Sequence, residues 1–253
     1  MYIYKKISHL KSDSIRRINT TVCPLILNQR YKNVIINSDA LKHVAIFPKL
    51  NIAFNRIKKN ANSTSMVSLA YLDRGLMQNE KDAKRHSLHL QKMPLKEWLK
   101  MSGYHFSVVI RNPYTRVLSA FINKFSKSSY LEKYGPFEIS ANGFKKFLYW
   151  LQDGGLGADP HWDLQKKLML LPLAYYDHVI KFENYAAEFI ELLNKNSLDL
   201  SQEELKSLNI YSGPTIGSNS KLDFFYDDES RELVLKMYID DFIWLGYTKE
   251  FPN

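Results

Sequence analysis

The chain has 253 residues, 45% hydrophobic and 24% charged, a balance that argues against a disordered, collagenous or coiled-coil protein and suits a domain able to bury most of its apolar surface. No apolar run reaches the roughly 18 residues of a membrane span, and the polar stretch from Lys5 to Arg17 lacks the apolar core of a secretory signal. Cys23 is the single cysteine, which excludes an intramolecular disulfide and fits a reducing compartment. The net charge of +9 is unevenly placed: residues 1–126 carry 22 basic and 6 acidic side chains, residues 127–253 carry 13 and 20. A basic N-terminal half points to an anionic partner, such as nucleotide phosphates, nucleic acid or an acidic membrane surface.

In chain order, residues 1–30 read as an irregular extension with a weak helical pattern over 7–19. Apolar, β-branched runs at 33–37, 43–47 and 51–57 predict strands. A helix follows over 62–72, capped by Asn62 or Ser63. Residues 75–93 read as polar loop, and Pro94 opens a short amphipathic helix. FSVVIR (106–111) is a buried strand. Asn112-Pro113 then pairs an asparagine cap with a proline at the first helical position. The helix they start, over 113–130, has apolar side chains at 114, 117, 118, 121, 122 and 125. Further helices are expected over 143–152, 161–171, 185–196, 201–208 and 227–241, with a loop at 154–160 and a strand over 176–183. Short, fully apolar strands among helices predict a single α/β domain over 1–253 with three layers: a central parallel sheet flanked by helices on both faces.

Two strand-to-helix junctions carry cations. One is Lys58-Lys59-Asn60-Ala61-Asn62-Ser63-Thr64-Ser65; the other is Arg111-Asn112-Pro113, whose helix bears Arg116 and Ser119. Free backbone N–H groups and the helix dipole favour an anion at such places, and open α/β sheets bind ligands at this edge. Two junctions suggest a ligand with two separated anionic groups. No glycine occurs between Asn51 and Arg74, so the G-x-x-x-x-G-K-[ST] loop of ordinary ATP- and GTP-hydrolysing enzymes is absent.

Four features stand in order along residues 44–247: IAFNRIKKNANSTSM (52–66), VVIRNPYTRVLSAFINKF (108–125), DPHWDLQ (159–165), and YYDHVIKFENY (175–185) followed by YIDDFIWLGY (238–247). Together they resemble the sulfotransferases, specifically the carbohydrate group that includes the HNK-1-type and heparan 2-O enzymes. The first is similar to that family's 5′-phosphosulfate loop. The second is similar to its 3′-phosphate motif R-x-P-x-x-R-x-x-S-x-[YF], and the third to its H-W-x-P-Q element. The last pair resembles its distal strand-plus-glutamate segment and terminal Y-x-x-D-F-x-x-[FL]-G-Y. The chain departs from the pattern at Lys58, where proline is usual, at Asn62, where a small residue is common, and at Asp163-Leu164, which replace x-Pro.

The resemblance implies a P-loop-NTPase-like sulfotransferase fold, with 3′-phosphoadenosine 5′-phosphosulfate (PAPS) as donor and 3′-phosphoadenosine 5′-phosphate (PAP) as product. The acceptor it implies is a carbohydrate hydroxyl on a glycan, lipopolysaccharide, capsule or glycolipid. Lys59 would contact the oxygen bridging phosphate and sulfate. Asn60, Ala61, Asn62, Ser63, Thr64 and Ser65 would surround the 5′-phosphate. Arg111 and Ser119 would hold the 3′-phosphate; Arg116, one turn from Ser119, would either help them or be structural and pair with an acidic residue of the fold.

The acceptor hydroxyl needs a general base, and histidine suits that task. His86 and His89 lie in RHSLHL, the interval where heparan 2-O-type relatives keep a catalytic pair, and His89 matches that placement best. His161 opens the H-W-x-x-Q element and faces the acceptor or acts as base instead. Glu183 reads equally as an active-site or a structural carboxylate. Asn219-Ser220 resemble a nucleotide-contacting segment. Tyr238, Asp241, Phe242 and Tyr247 read as packing and capping residues; Trp150 and Trp162 are candidates for sugar stacking, with core packing as the default. No metal-ligand spacing occurs, so no metal is expected. The missing anchor and cysteine pairs suggest a bacterial, cytoplasmic enzyme that acts on a precursor, without a nucleic-acid partner and compatible with peripheral membrane contact. Two rivals remain: a nucleotide or sugar kinase, which would need ATP and Mg²⁺, and a non-enzymatic polyanion-binding module with steep salt dependence.

Overall fold

The computed structural model describes residues 2–32, 34–75, 79–196, 200–208 and 221–252. Strands β1 (Val44–Phe47), β2 (Ile52–Asn55), β3 (Leu88–His89), β4 (His105–Ile110) and β5 (His178–Lys181) form one sheet in the order β3-β1-β2-β4-β5. The helices are α1 (Tyr2–Tyr31), α2 (Asn62–Arg74), α3 (Glu80–His86), α4 (Leu95–Trp98), α5 (Pro113–Phe125), α6 (Ser128–Tyr134), α7 (Ala141–Gln152), α8 (Gln165–Leu168), α9 (Tyr185–Lys195), α10 (Gln202–Ser207), α11 (Leu222–Phe225), α12 (Asp228–Met237) and α13 (Ile239–Trp244).

The sheet is mixed, which corrects the expectation of a parallel one. β2, β4 and β5 run parallel, while β1 is antiparallel to both β2 and β3. The reason is the connection after β1. Residues 48–51 make a tight turn with Asn51 left-handed at φ 52°, and so short a link closes only an antiparallel pair. The connections from β2 to β4 and from β4 to β5 are long and helical, as parallel pairing requires.

Successive strand residues point to opposite faces, and both faces are buried. Val44, Ile46, Ala53, Phe106, Val108 and Ile110 pack with Cys23 and Leu27 of α1 and with Leu170 and Leu171. Ala45, Phe47, Ile52, Phe54 and Val109 pack with Met66 and Leu69 of α2 and with Phe189 and Leu192 of α9. The domain therefore has the expected three layers. A third, aromatic core joins α5, α7, α11, α12 and α13 through Phe121, Phe144, Phe147, Phe225, Val234 and Phe242, with Trp162 among them.

Several elements differ from the sequence expectation. Residues 2–31 are one helix, not an irregular extension. Asn19, Cys23 and Leu27 form its buried face at four-residue spacing, and the polar Asn19 obscures the apolar period. Its Nδ2 donates to the carbonyls of Leu90, Gln91 and Met93 at 3.3, 3.0 and 2.9 Å, and its Oδ1 accepts from Trp98 Nε1 at 2.9 Å. Residues 34–37 are not a strand; Asn37 instead bonds the main chain of Lys167, Met169 and Leu170. Residues 75–93, expected as loop, contain α3 and β3. The helix expected over 161–171 shrinks to α8, because Asn55 ties down the chain beyond it. Asn55 Oδ1 accepts from Leu170 N at 2.8 Å and Nδ2 donates to Leu168 O at 2.9 Å. The helices expected over 113–130 and 227–241 each divide in two, after Phe125 and at Tyr238.

Candidate functional site: a cationic cleft at two strand-to-helix junctions

The first junction leaves β2 and turns into α2. Lys59 and Ala61 are left-handed, at φ 72° and 47°, and flank Asn60, which is not. Alternating hand in consecutive residues turns backbone N–H groups toward a common concavity that suits an anion. Ala61, not Asn62 or Ser63, is the cap residue of α2, and no side chain caps that end. The turn is fastened from beneath. Buried Asn60 donates from Nδ2 to Val109 O at 2.8 Å and to Gln165 Oε1 at 2.6 Å. Ser65 Oγ donates to Ala61 O at 3.1 Å and lies 2.9 Å from the Tyr185 hydroxyl. Asn60 and Ser65 are thus committed to the fold, while Lys59, Ala61, Asn62, Ser63 and Thr64 line a cleft of about 360 Å³.

The second junction leaves β4. Asn112 Oδ1 accepts from Tyr114 N at 2.9 Å, with Pro113 at the first turn, as the Asn-Pro pair predicts. Glu183 accepts from Asn112 N at 2.9 Å and from the Tyr247 hydroxyl at 2.8 Å, which gives it a positioning part at this junction. Arg111 is 1% exposed, yet it borders the cleft. Its Nε donates to Thr115 Oγ1 at 3.0 Å and Nη1 to Lys59 O at 2.9 Å, and the guanidinium stacks 3.8 Å from the Phe182 ring centre. Burial pulls its proton affinity down to about 9; Glu183 opposes that and Arg116 adds to it.

Ser119 borders the cleft as well, and Arg116 does not. Arg116 donates to the carbonyls of Lys58, Asp163 and Pro160 at 3.1, 2.7 and 3.2 Å. It therefore clamps two loops together. Gln165 clamps the two junctions to each other: its Oε1 also accepts from Arg111 N at 3.1 Å, and its Nε2 donates to Arg111 O at 2.8 Å.

Among the described residues six cations line the cleft, Lys58, Lys59, Lys84, Arg111, Lys124 and Lys127, and no carboxylate does. Burial, and then the charges of Arg111, Lys124, Lys127 and Arg116, push the Lys59 ammonium down to about 7. His161 borders the same space. Its Nδ1 lies 2.5 Å from Asp159 Oδ1, leaving Nε2 as its other ring nitrogen. Burial holds its proton affinity down at about 4, with Lys124 and Lys58 adding to that and the Asp159 hydrogen bond opposing it.

His89 is placed elsewhere. It pairs with Ala45 at the sheet edge, outside the cleft lining, with Nε2 3.3 Å from Lys84 O. Burial and Arg56 push it down to about 4. His86 ends α3, and its side chain lies outside the described residues, as do Asn219 and Ser220. Trp162 is fully buried and donates from Nε1 to Gly155 O at 3.0 Å. Trp150 packs against Phe147 and Trp162. Tyr238 donates to Trp162 O at 2.5 Å, and Asp241 accepts from Gln165 N and Lys166 N at 2.7 and 3.0 Å, the packing and capping parts expected of them. No group of His, Cys, Asp or Glu among the described residues is arranged to hold a metal ion.

Lys84, Lys124, Lys127, Asp159 and Gln165 were not singled out from the sequence. Gln165 carried a signal, its fixed spacing in the H-W-x-x-Q element. Lys127 carried none: Ser119 and Asn123 stand four residues apart on α5 and border the cleft, whereas Lys127 reaches it from the extended link between α5 and α6.

The region that builds both junctions is also the region that is related to known proteins. Residues 42–248 match the sulfotransferase family, and the chain belongs to that family. It is similar to human carbohydrate sulfotransferase 9, with 28% identity over 196 residues that cover 66% of this chain and 43% of the human protein. The chain thus matches less than half of that relative's length. No solved structure matches it.

Proposed function

We propose that the protein transfers the sulfuryl group of PAPS to a hydroxyl of a carbohydrate acceptor, on a P-loop-like sheet edge and in the cytoplasm. The observation that carries this reading is the pair of cationic junctions, bound to each other by Gln165 and by the Arg111–Lys59 hydrogen bond, opening on one cleft with no carboxylate in its lining among the described residues. A donor with separate 5′-phosphosulfate and 3′-phosphate groups fits that arrangement. Lys59 and the free N–H groups at the start of α2 take the first group. Arg111 and Ser119 take the second, with charge-assisted donors.

Sulfuryl transfer requires alignment of acceptor, sulfur and leaving oxygen, and relief of the charge that grows on the leaving phosphate. The acceptor oxygen forms a bond to sulfur as the bond from sulfur to the phosphate oxygen breaks. Lys59 stabilises the phosphate oxygen that departs. His161, which borders the cleft where His89 does not, takes the acceptor proton. Asn60, Ser65, Arg116, Gln165 and Glu183 hold the two junctions in register.

The test is a thermal-shift titration with PAP, ADP and ATP–Mg²⁺ at equal salt. A ligand at about 100 times its Kd stabilises by about 2.7 kcal/mol. PAP is expected to stabilise well beyond ADP, and PAPS to be turned over. An equal response to PAP and ADP, or a response to ATP–Mg²⁺ alone, refutes a dedicated 3′-phosphate site and favours a kinase.

A further inference from the structure

We propose that Asp159 is the positioning residue of this site: it holds His161 in the Nδ1–H tautomer and so presents Nε2 to the hydroxyl that is to be sulfated. The proposal rests on the sulfotransferase reading with His161 as base.

One carboxylate grips His161 twice. Asp159 Oδ1 accepts from the His161 backbone N at 2.9 Å and meets its Nδ1 at 2.5 Å. Asp159 Oδ2 accepts from the Tyr130 and Tyr134 hydroxyls at 3.2 and 3.3 Å. Both tyrosines stand on α6, more than twenty residues earlier in the chain, so the carboxylate is anchored from a separate element. The turn is closed beneath it by Trp162 N and Asp163 N, which donate to Asp159 O at 3.2 and 3.1 Å. Trp162 and Gln165, just beyond, are fully buried. Asp159 itself is 8% exposed and keeps this geometry with little competition from water.

A neutral imidazole has one donor and one acceptor nitrogen, and the partner of one decides the part of the other. A carboxylate can only accept when ionised. Burial works against ionisation, but the hydrogen bonds and charge of His161 and the bond from Tyr130 hold the Asp159 carboxyl down at about 2. Nδ1 therefore carries the proton and Nε2 the lone pair. As the acceptor oxygen bonds to sulfur, its proton passes to Nε2, and the imidazolium that forms lies against the carboxylate. The other charged groups acting on His161 are Lys124 of α5 and Lys58 of the β2–α2 turn, both unfavourable to that imidazolium. Asp159 is the counterweight to them. The Tyr130 hydroxyl, 3.4 Å from Nδ1, stands on the Asp159 side of the ring and so does not compete for Nε2.

The direct test is ¹⁵N NMR of histidine-labelled protein with PAP bound, the His161 resonances being assigned by their loss in His161→Gln. The expected pattern is a protonated Nδ1 and an unprotonated Nε2 in the wild type, lost or reversed in Asp159→Asn. The rate of PAPS hydrolysis, with water in place of the acceptor hydroxyl, should fall about 10²–10⁴-fold in Asp159→Asn, while the PAP thermal shift stays unchanged. The acid limb of the pH–rate profile should move to lower pH, because removal of the carboxylate lowers the proton affinity of His161.

Tyr134→Phe removes one anchor without touching the base and should lower the rate less; it keeps the proposal testable if Asp159→Asn fails to fold. A wild-type Nε2–H tautomer, or an Asp159→Asn protein with unchanged tautomer or rate, overturns the proposal. Failure of PAP to stabilise the wild type would instead overturn the sulfotransferase reading, whatever the tautomer.

Discussion

Lys59 occupies a left-handed turn position with four cations acting on it, and its ammonium is pushed down to about 7. An anionic ligand binds the charged form, so binding above that pH must take up a proton. PAP affinity is therefore expected to fall as pH rises from 6 to 9, and calorimetry in buffers of different ionisation enthalpy should show proton uptake over that range. Lys59→Ala should lose this pH dependence and lower turnover about 10²–10³-fold, the scale of one preorganised donor at a developing oxyanion. A flat profile in the wild type would remove Lys59 from the anion site. Arg111 is a different kind of cation. Its fork joins Thr115 and Lys59 O while the plane stacks on Phe182, and lysine reproduces neither the fork nor the stack. Arg111→Lys is expected to weaken PAP binding at least about tenfold, or about 1.4 kcal/mol, as measured by the shift in Kd.

At the scale of elements, the site is made by loops that rigid parts hold in place. β2 and β4 are neighbours in parallel register, so their C-terminal ends deliver Lys59 and Arg111 to one edge. Gln165 then spans the gap between the two turns. α1 takes part at a distance. Its Asn19 ties the chain around Leu90–Met93 and Trp98 to the body, and that stretch directly follows β3. Asn19→Ala would leave buried carbonyls and an indole N–H without partners. It should destabilise the fold by about 2–3 kcal/mol, since each unsatisfied buried group costs about 1–3 kcal/mol. Denaturant unfolding would measure the loss. A change under about 0.5 kcal/mol would mean that α1 docks without help from this residue, as neutral substitutions do.

For the whole molecule, charge and topology act together. The basic excess of residues 1–126 is gathered at the cleft by the sheet: Lys58, Lys59, Lys84, Arg111 and Lys124 all belong to that half. PAP binding is expected to weaken by about tenfold or more between 50 and 500 mM salt, because the Debye length contracts from more than about 10 Å to a few ångströms; an affinity independent of salt would contradict an electrostatic site. The chain alone determined whatever depends on near neighbours. Asn112-Pro113 specified a helix start, the eight-residue spacing of Arg111 and Ser119 placed both beside one cleft, and the ordered motifs identified the family. Apolar strands buried on both faces told of three layers. Contacts between distant segments were decided only by the tertiary structure. The turn after β1 and its pairing made the sheet mixed, Asn55 stopped the helix after Leu168, and Arg116, similar in the sequence to a ligand-binding arginine, was drawn to three backbone carbonyls. Asp159 met Tyr130 and Tyr134, and His89 was carried to the sheet edge while His161 entered the cleft. Spacing along the chain reports which residues share a turn or a strand. Which side chain loses its water, and to which partner, is decided by residues far away in sequence, and the same residue type serves as ligand or as clamp accordingly.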